Sequence, residues 1–535
     1  MEININMNNN IVPEKIVFND IYCDYISDKD VIKKQYYNYY SDESKLTGTP
    51  PKRIFFPKST EEVAYVLKNL FDKNEKLTVS GARTGIVGGA VPVNSENVIS
   101  LENLVFEFEL KENLNNNYWF IHAGAGTILS DLHSSLKKKK LKYNGVNKIP
   151  QLIYPVDPTE QSASIGGNVA TNASGARSFY YGPTRNWVVG LTVVLSDGKI
   201  LKLKRGHVFA HKNTFILHDI DKFSTKTITI PNISTTKTKN VAGYFLADNM
   251  DVIDIFIGGE GTLGIITEVE LRLCEKPKNI INTCIFFPKC DFISIIQDIK
   301  LSGNFCITAI EYMDNNSLNL LRNCKFEKSL KIPKIPEDAE GVLYLEINSD
   351  NNNDKVNIFD TLEKLMIKYD ISNESTWVAT NEHEILHMKK FRHALPERIN
   401  SIISEIKNEF HEITKIATDM SVPENSIRKT IELYKSTLDA ENLEYYIFGH
   451  IGDNHLHVNI IPHSMDEMLI AKRVYQSFAK KIVEMKGSVA AEHGIGKIKK
   501  KFLTIQYNSR EIEIFKQFKK AFDKKNILNP HVLFD

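Results

Sequence analysis

From Arg53 onward the apolar positions fall into short runs whose spacing alternates between the helical and the strand period. Ser59 and Glu62 have the spacing of a capping box, Val63, Val66, Leu67 and Leu70 share one helical face, and Lys76–Val79 reads as a strand. Tyr118–His122 is expected as a strand and Thr127–Leu136 as a helix, while Trp187–Leu195 and Lys199–Leu203 form a hairpin turning at Asp197-Gly198. Asp251–Ile257 and Ile265–Leu273 are read as two further strands. Later, Ala471, Val474, Tyr475, Phe478, Ile482 and Met485 line one face of a long helix that closes at Gly487. This alternation predicts an α+β fold. Residues 1–50 show no sustained period and are expected as an N-terminal extension ending at Pro50-Pro51, and a domain boundary is placed near residue 276.

Composition narrows the class. With 535 residues, 42% of them hydrophobic and 25% charged, the chain can bury a large core. Its 67 basic and 66 acidic residues leave a net charge of +1, which excludes the basic excess typical of nucleic-acid binding. The six cysteines, at 23, 274, 284, 290, 306 and 324, include no C-x-x-C pair, so no iron–sulfur cluster or zinc finger is expected. A reducing, cytoplasmic location follows, with membrane contact at most peripheral, since no apolar run approaches the roughly 20 residues of a spanning helix. The lysine runs 137–140 and 497–501 read as solvated faces.

Candidate chemistry is concentrated in a few segments. Gly259-Glu260-Gly261-Thr262-Leu263-Gly264 matches G-x-G-x-x-G, but a strand rather than a helix follows, so the nicotinamide dinucleotide reading fails. Glycine instead gathers in three loops, 81–89, 166–175 and 258–264, a way to present consecutive N–H groups to a pyrophosphate without a helix. In the segment 448–459, two strands flank a Gly-Asp-Asn turn, and alternation places His455, His457 and Asn459 on one face. The turn can return His450 beside His457, and Glu492-His493 offers a carboxylate and another imidazole, together the makings of an open two-His, one-carboxylate metal set. His383-Glu384-Ile385-Leu386-His387 matches the zincin motif, but no ligand-rich segment follows closely, so it is read as a surface helix ending at Pro396. Arg392 on that helix is a candidate clamp for a substrate carboxylate.

The segments GARTGIVGGAVP (81–92), YPVDPTEQSASIGGNVATNASGARSFYYG (154–182), GGEGTLGIITE (258–268), GHIGDNHLHVN (449–459), AEHGIGK (491–497) and ILNP (527–530) fall in the order found in FAD-linked D-2-hydroxyacid dehydrogenases, which the chain resembles from about residue 50 to its end. The resemblance, to a family that includes D-lactate dehydrogenases and the glycolate oxidase flavoprotein subunit, implies an FAD-binding domain of vanillyl-alcohol-oxidase type with two subdomains (51–275). It further implies an α+β substrate domain with an antiparallel sheet (276–485) and a C-terminal segment that returns to the flavin (486–535). By motif position, the residues implied to hold FAD are Gly81, Arg83, Thr84, Gly85, Gly88, Gly89, Pro155, Asp157, Gly166, Gly167, Asn168, Thr171, Asn172, Ser174, Gly175, Gly261, Leu263, Ile265 and Asn529. His450, His457 and Glu492 match the ligands of a divalent metal, zinc or manganese, His493 matches the general base, and Arg392 matches the arginine that holds the substrate carboxylate. The implied reaction oxidises a D-2-hydroxyacid such as D-lactate or glycolate to the 2-oxo acid, with electrons leaving to a separate quinone, cytochrome, electron-transfer flavoprotein or iron–sulfur subunit. An alkyl-dihydroxyacetone-phosphate-synthase-like flavoenzyme and a flavin-binding electron-transfer subunit are the alternatives.

Some positions depart from the family pattern. Ala82 and Arg83 stand where many members carry glycine, so the loop must keep a negative φ there or tolerate strain. The usual Gly-Asp-Gly-Asn turn is Gly452-Asp453-Asn454-His455, which adds an imidazole beside the metal set. Pro396 replaces a substrate-contacting hydroxyl of some members, which disfavours a second carboxylate on the substrate. The 81–92 loop contains no histidine, so the FAD is expected to be non-covalent.

Overall fold

The computed structural model describes residues 14–18, 21–114, 117–145, 147–211, 213–218, 225–233, 236–302, 306–323, 334–349 and 351–535. A first sheet is built from β1 (Glu14–Phe18), β2 (Ile21–Ile26), β3 (Ile54–Phe56), β4 (Leu77–Ser80) and β5 (Asn97–Ser100), in the order β1-β2-β3-β5-β4. The pairs β3/β5 and β4/β5 are parallel, and the helix Thr60–Lys73 packs Val63, Val66, Leu67 and Leu70 onto this sheet. Ser59 Oγ accepts the N–H of Glu62 as its spacing predicts, but the Glu62 carboxylate reaches back to the N–H of Lys58 rather than to that of Ser59.

A second, antiparallel sheet contains β6 (Glu109–Asn113), β7 (Tyr118–Gly124), β8 (Leu152–Ile153), β9 (Val188–Val194), β10 (Ile200–Lys204) and, beyond the hairpin β11 (Thr214–His218) and β12 (Thr225–Thr229), β13 (Ile265–Glu275). Its order is β10-β9-β13-β7-β6, with β8 on the far end of β13. The third sheet, also antiparallel, comprises β14 (Asn279–Phe287), β15 (Cys306–Asp314), β16 (Gly341–Ser349), β17 (Thr376–Ala379), β18 (Ile416–Ala417), β19 (Met420–Ser421), β20 (Glu444–Gly449) and β21 (His455–Ile461). Its order is β17-β14-β16-β15-β20-β21-β18, and β19 pairs with β21. The α+β class and the antiparallel sheet in the second half are thus as expected.

Three larger elements also depart from the sequence reading, and Lys497 and Lys499 of the 497–501 run are buried rather than solvated. Residues 21–50 are part of the first subdomain rather than an extension: β2 pairs with β3, and Ile26, Ile32 and Tyr39 share a core with Ile54 and Val98. The run 251–257 is a single 3-10 turn at Val252–Ile255, capped by Asp251, whose carboxylate accepts from the N–H of Ile253. Its apolar residues are buried either way, and a short apolar run does not distinguish a strand from a buried turn. Finally, the helix Glu382–Lys407 passes straight through Pro396. Proline costs a helix about 3 kcal/mol, but Met388, Phe391, Leu395, Ile399 and Ile403 bury one continuous stripe against Phe286, Tyr344 and Trp377, and that burial offsets the missing bond.

The zincin-like residues lie at the exposed start of this helix, where the Glu384 carboxylate accepts the N–H of Thr380 and helps cap the first turn. Glu384→Gln should therefore leave turnover within a few fold and shift stability by about 0.5 kcal/mol. A fall in turnover of several orders of magnitude with the fold intact would show that this segment does chemistry.

Candidate active site

A cleft opens between the first two sheets. Its walls are Gly81, Arg83, Thr84, Gly85 and Gly89 from the loop after β4, Gly166, Gly167, Asn168 and Thr171 from the helix Ile165–Thr171, and Glu260, Gly261 and Ile265 from the turn before β13. Asn529 and His493 complete it from the C-terminal segment. A Cβ added at Gly166 would meet Ala125 Cβ at 2.6 Å, so glycine here lets the helix sit against the end of β7. At Gly85 and Gly89, in contrast, a Cβ would meet nothing within 4 Å: the missing side chains leave room for something other than protein. That fits a dinucleotide laid along bare backbone. Arg83 adopts φ +61°, so the loop keeps the left-handed conformation that glycine supplies elsewhere, and its guanidinium stacks 4.3 Å from the centre of the Tyr39 ring.

Several residues expected at the flavin are not on this cleft wall. Leu263 is buried in the main hydrophobic core, and Gly88 packs toward Leu46. Asn172 caps its helix with a left-handed backbone and accepts the N–H of Arg185. Pro155, Asp157, Ser174 and Gly175 are also absent from the cleft wall, and the segment that carries them contacts the third sheet through Arg177 and Glu346. Gly175 lies so close to Asp157 that a Cβ would fall 1.9 Å from the Asp157 carbonyl oxygen. Asp157 is half-buried, and although desolvation opposes its ionisation, Arg177, Lys389 and Arg392 hold its carboxyl below the usual range. Arg177 in turn binds Glu346 of β16 through two nitrogens, at 2.6 and 3.0 Å. Ser174 Oγ donates to Glu492 at 2.8 Å.

The second constellation forms where β20 and β21 pair. Phe448 stands opposite His457, the chain turns through Ile451–Asp453, and Asn454 at φ +54° delivers His455 into β21. His450, His455, His457 and Glu492 each place one donor atom within 4.8 Å of all the others. His450 Nδ1 donates to Glu311 at 2.7 Å, leaving Nε2 at 3.4 Å from Glu492; His457 Nδ1 donates to the Thr418 carbonyl at 3.2 Å, leaving Nε2 at 3.9 Å from the same carboxylate. Carboxylate and carbonyl partners that fix the outer nitrogen of an imidazole are the usual arrangement behind metal-binding histidines.

Charge in this cluster is tightly matched. Burial opposes protonation of His450, but the flanking Glu311 and Glu492 carboxylates raise it to about 10. Burial likewise opposes ionisation of Glu492, and His450 and Lys239 override it and hold the carboxyl well below its usual range. Burial keeps His455 and His457 neutral, the form in which an imidazole binds a cation. Lys239, Glu311, Thr418 and Asp419 were not visible in the sequence, since isolated charged or hydroxyl residues carry no spacing signal.

The segment joining the two sites is held by two buried carboxylates. Asp419 accepts the N–H groups of Glu492 and His493, both at 3.1 Å, and Glu260 accepts those of Ile495 and Gly496, both at 2.8 Å. His493 therefore lines the cleft while its ring sits 5.6 Å from that of His457, with Nδ1 at 3.4 Å from Asp419. Arg392 is 16% exposed and 3.8 Å from Glu311, a loose pairing on the opposite side of His450's partner.

Comparisons with known proteins agree with this arrangement. Residues 51–204 match the FAD binding domain model and residues 277–533 the model for the C-terminal domain of FAD linked oxidases. A D-lactate dehydrogenase of Anaerostipes hadrus is 30% identical over 497 residues, 91% of either chain. The chain belongs to the FAD-linked oxidase family. It is an FAD-dependent oxidoreductase. Two further relatives of this FAD-linked oxidase are 27% identical: the D-2-hydroxyglutarate dehydrogenase of Stutzerimonas stutzeri, covering 93% of this chain and 94% of the relative, and the glycolate oxidase subunit GlcD of Bacillus subtilis, covering 93% and 92%. Among solved structures, an alkyldihydroxyacetonephosphate synthase superposes with a TM-score of 0.60 at 17% identity, covering 95% of this chain and 82% of that one, a likeness of fold. Among the described residues of the FAD-linked oxidase, no helix is long and apolar enough to cross a membrane.

Burial raises Glu260 from 4.5 to about 7 despite the two N–H groups it accepts. Between those values the unfolded chain loses this proton before the folded one, so the contribution of Glu260 to stability falls as pH rises from about 4.5 to 7 and is level above. The unfolding free energy of the native protein minus that of Glu260→Gln should decrease by a few kcal/mol across this window in denaturant titrations. A difference that stays constant with pH would show that Glu260 does not titrate there.

Proposed function

We propose that the protein oxidises a D-2-hydroxyacid with a short side chain, of the D-lactate or glycolate type, to the 2-oxo acid, with non-covalent FAD and a divalent cation. The observation that carries this reading is the position of His493, on the cleft wall and beside the His450, His457, Glu492 cluster at once. FAD, when bound along the glycine-lined cleft, supplies a two-electron acceptor. A divalent cation held by His450, His457 and Glu492, zinc or manganese by the chemistry of the donor set, supplies positive charge that acidifies the substrate hydroxyl.

The protein's own residues do the rest. Arg392 offers its planar guanidinium to the C1 carboxylate, and its long contact with Glu311 leaves it available to do so. With Nδ1 of His493 turned to Asp419, Nε2 is the nitrogen left to take the hydroxyl proton. Loss of that proton and of the C2 hydrogen with its electron pair leaves the ketone. Pro396, one turn beyond Arg392, has no hydroxyl or charge to meet a second carboxylate, which favours monocarboxylate substrates. A separate acceptor, a quinone, cytochrome, electron-transfer flavoprotein or iron–sulfur subunit, would be needed to take up the two electrons. The family relatives named for D-lactate, D-2-hydroxyglutarate and glycolate support the substrate class. Retention of Arg392 and the carboxylate of Glu492 favours it over the synthase with the similar fold.

Anaerobic mixing with a panel of D- and L-2-hydroxyacids should bleach the flavin with D-lactate or glycolate and leave it oxidised with L-lactate. His493→Asn should keep its metal and slow bleaching by about 10²–10⁴-fold, the usual worth of a general base. Glu492→Gln should lose both metal and rapid bleaching while retaining FAD, and acid denaturation should release all the flavin. Full-rate bleaching after verified metal removal, or flavin that stays with the precipitate, would overturn the corresponding part of the reading.

A further inference from the structure

His455 has no role in the mechanism above, yet it is among the most completely buried polar side chains in the protein, at 0% exposure. Its Nε2 faces the Asp419 carboxylate at 3.4 Å, while its Nδ1 makes no hydrogen bond. A buried imidazole nitrogen left unsatisfied costs about 1–3 kcal/mol, so Nδ1 is expected to meet a partner that the polypeptide itself does not provide. The geometry indicates what that partner is. His455 and His457 occupy alternate positions of β21, their rings 4.5 Å apart, and the His450 ring lies 5.5 Å away. Nδ1 of His455 is 3.9 Å from Glu492, while Nε2 is 3.4 Å from Asp419. This repeats the layout of the two neighbouring histidines: one nitrogen toward Glu492, the other toward an acceptor in the surrounding shell, Glu311 for His450 and the Thr418 carbonyl for His457.

We propose that His455 is a fourth protein ligand to the cation, which would then be held by three imidazoles and one carboxylate. The inference rests on the reading that the cluster binds a divalent cation and adds a residue at the position where the related Gly-Asp-Gly-Asn turn carries asparagine. Asp419 meets only Nε2 of His455, while also accepting from Lys499 at 2.8 Å and from the N–H groups of Glu492 and His493, so it does not account for the unpartnered Nδ1. Four protein donors fill a tetrahedral shell, so a cation that also contacts a substrate must accept five or six ligands, which favours manganese over a closed zinc site.

The test uses the flavin-loaded protein stripped of metal and reloaded with Mn(II) or Zn(II). X-ray absorption of the reloaded wild type should fit three imidazoles at the metal, and that of His455→Asn should fit two. Competition with a graded chelator should show His455→Asn holding Mn(II) about 10–100-fold more weakly or worse, since even residues one shell further out cost that much, with FAD content and circular dichroism unchanged. Two imidazoles in the wild type, or equal affinity in wild type and His455→Asn, would overturn the fourth ligand while leaving the cation site itself standing. If wild type and Glu492→Gln both fail to bind either metal, the cation reading falls and this proposal with it. Should His455→Asn not fold, the imidazole count in the wild type decides alone.

Discussion

A carboxylate buried to 7% exposure, that of Glu492, is the constraint around which the rest of the molecule is arranged. An ionised carboxylate away from water costs several kcal/mol unless its charge and lone pairs are met, and no single segment of this chain meets them. Ser174 and Lys239 reach it from the FAD-binding half, His450 from the end of β20, and Asp419 fixes its backbone. The two halves of the protein are therefore keyed to one another through a charge network that is satisfied only in the assembled state. Arg177 with Glu346 and Asp157 forms a second such key along the same seam. Removing one partner leaves the others buried and unmatched, which makes these contacts specific as well as stabilising.

The same network sets the relation between the two candidate sites. Four N–H groups between residues 492 and 496 are taken by Asp419 and Glu260, carboxylates from opposite sides of the segment. Held at both ends, the segment places Glu492 in the histidine cluster and His493 on the cleft wall with little freedom to exchange. Lys499 at Asp419 and Asn529 bridging Val79 and Glu260 reinforce it from the C-terminal side.

Much of this was legible in the sequence where physics leaves a periodic or clustered trace. The amphipathic helix at Thr60–Lys73, the hairpin over Asp197-Gly198 and the strand pair carrying His450 and His457 follow from spacing alone, and the grouping of Glu492 and His493 with them from their chemistry. Pro396 misled because local proline chemistry was outweighed by a stripe of core residues that only the tertiary structure reveals. The 251–257 run misled because burial without alternation suits several backbone shapes. Asp157, Ser174 and Gly175 sit in a glycine-rich motif, and sequence proximity to true cleft residues says nothing about the turn that carries them to the domain seam. Lone residues such as Lys239, Asp419 and Glu260 acquire meaning only from the groups opposite them.

The way the terminal segment is held also bears on the order in which the protein becomes competent during synthesis. The strand Leu77–Ser80 appears early in translation, yet its Leu77 N–H and carbonyl bond to residues 527 and 529, and Glu492 and His493 also emerge late. The last strand of the two sheets that flank the cleft ends at Glu275, so both can form well before residues 492 and 493 are made, since domains generally fold as their chain emerges. A nascent chain would thus possess the glycine loops of the cleft before His493 and Asn529 close its wall and before Glu492 joins the three histidines. The cleft and the histidine cluster are therefore completed together, once the segment carrying Glu492, His493 and Asn529 has docked.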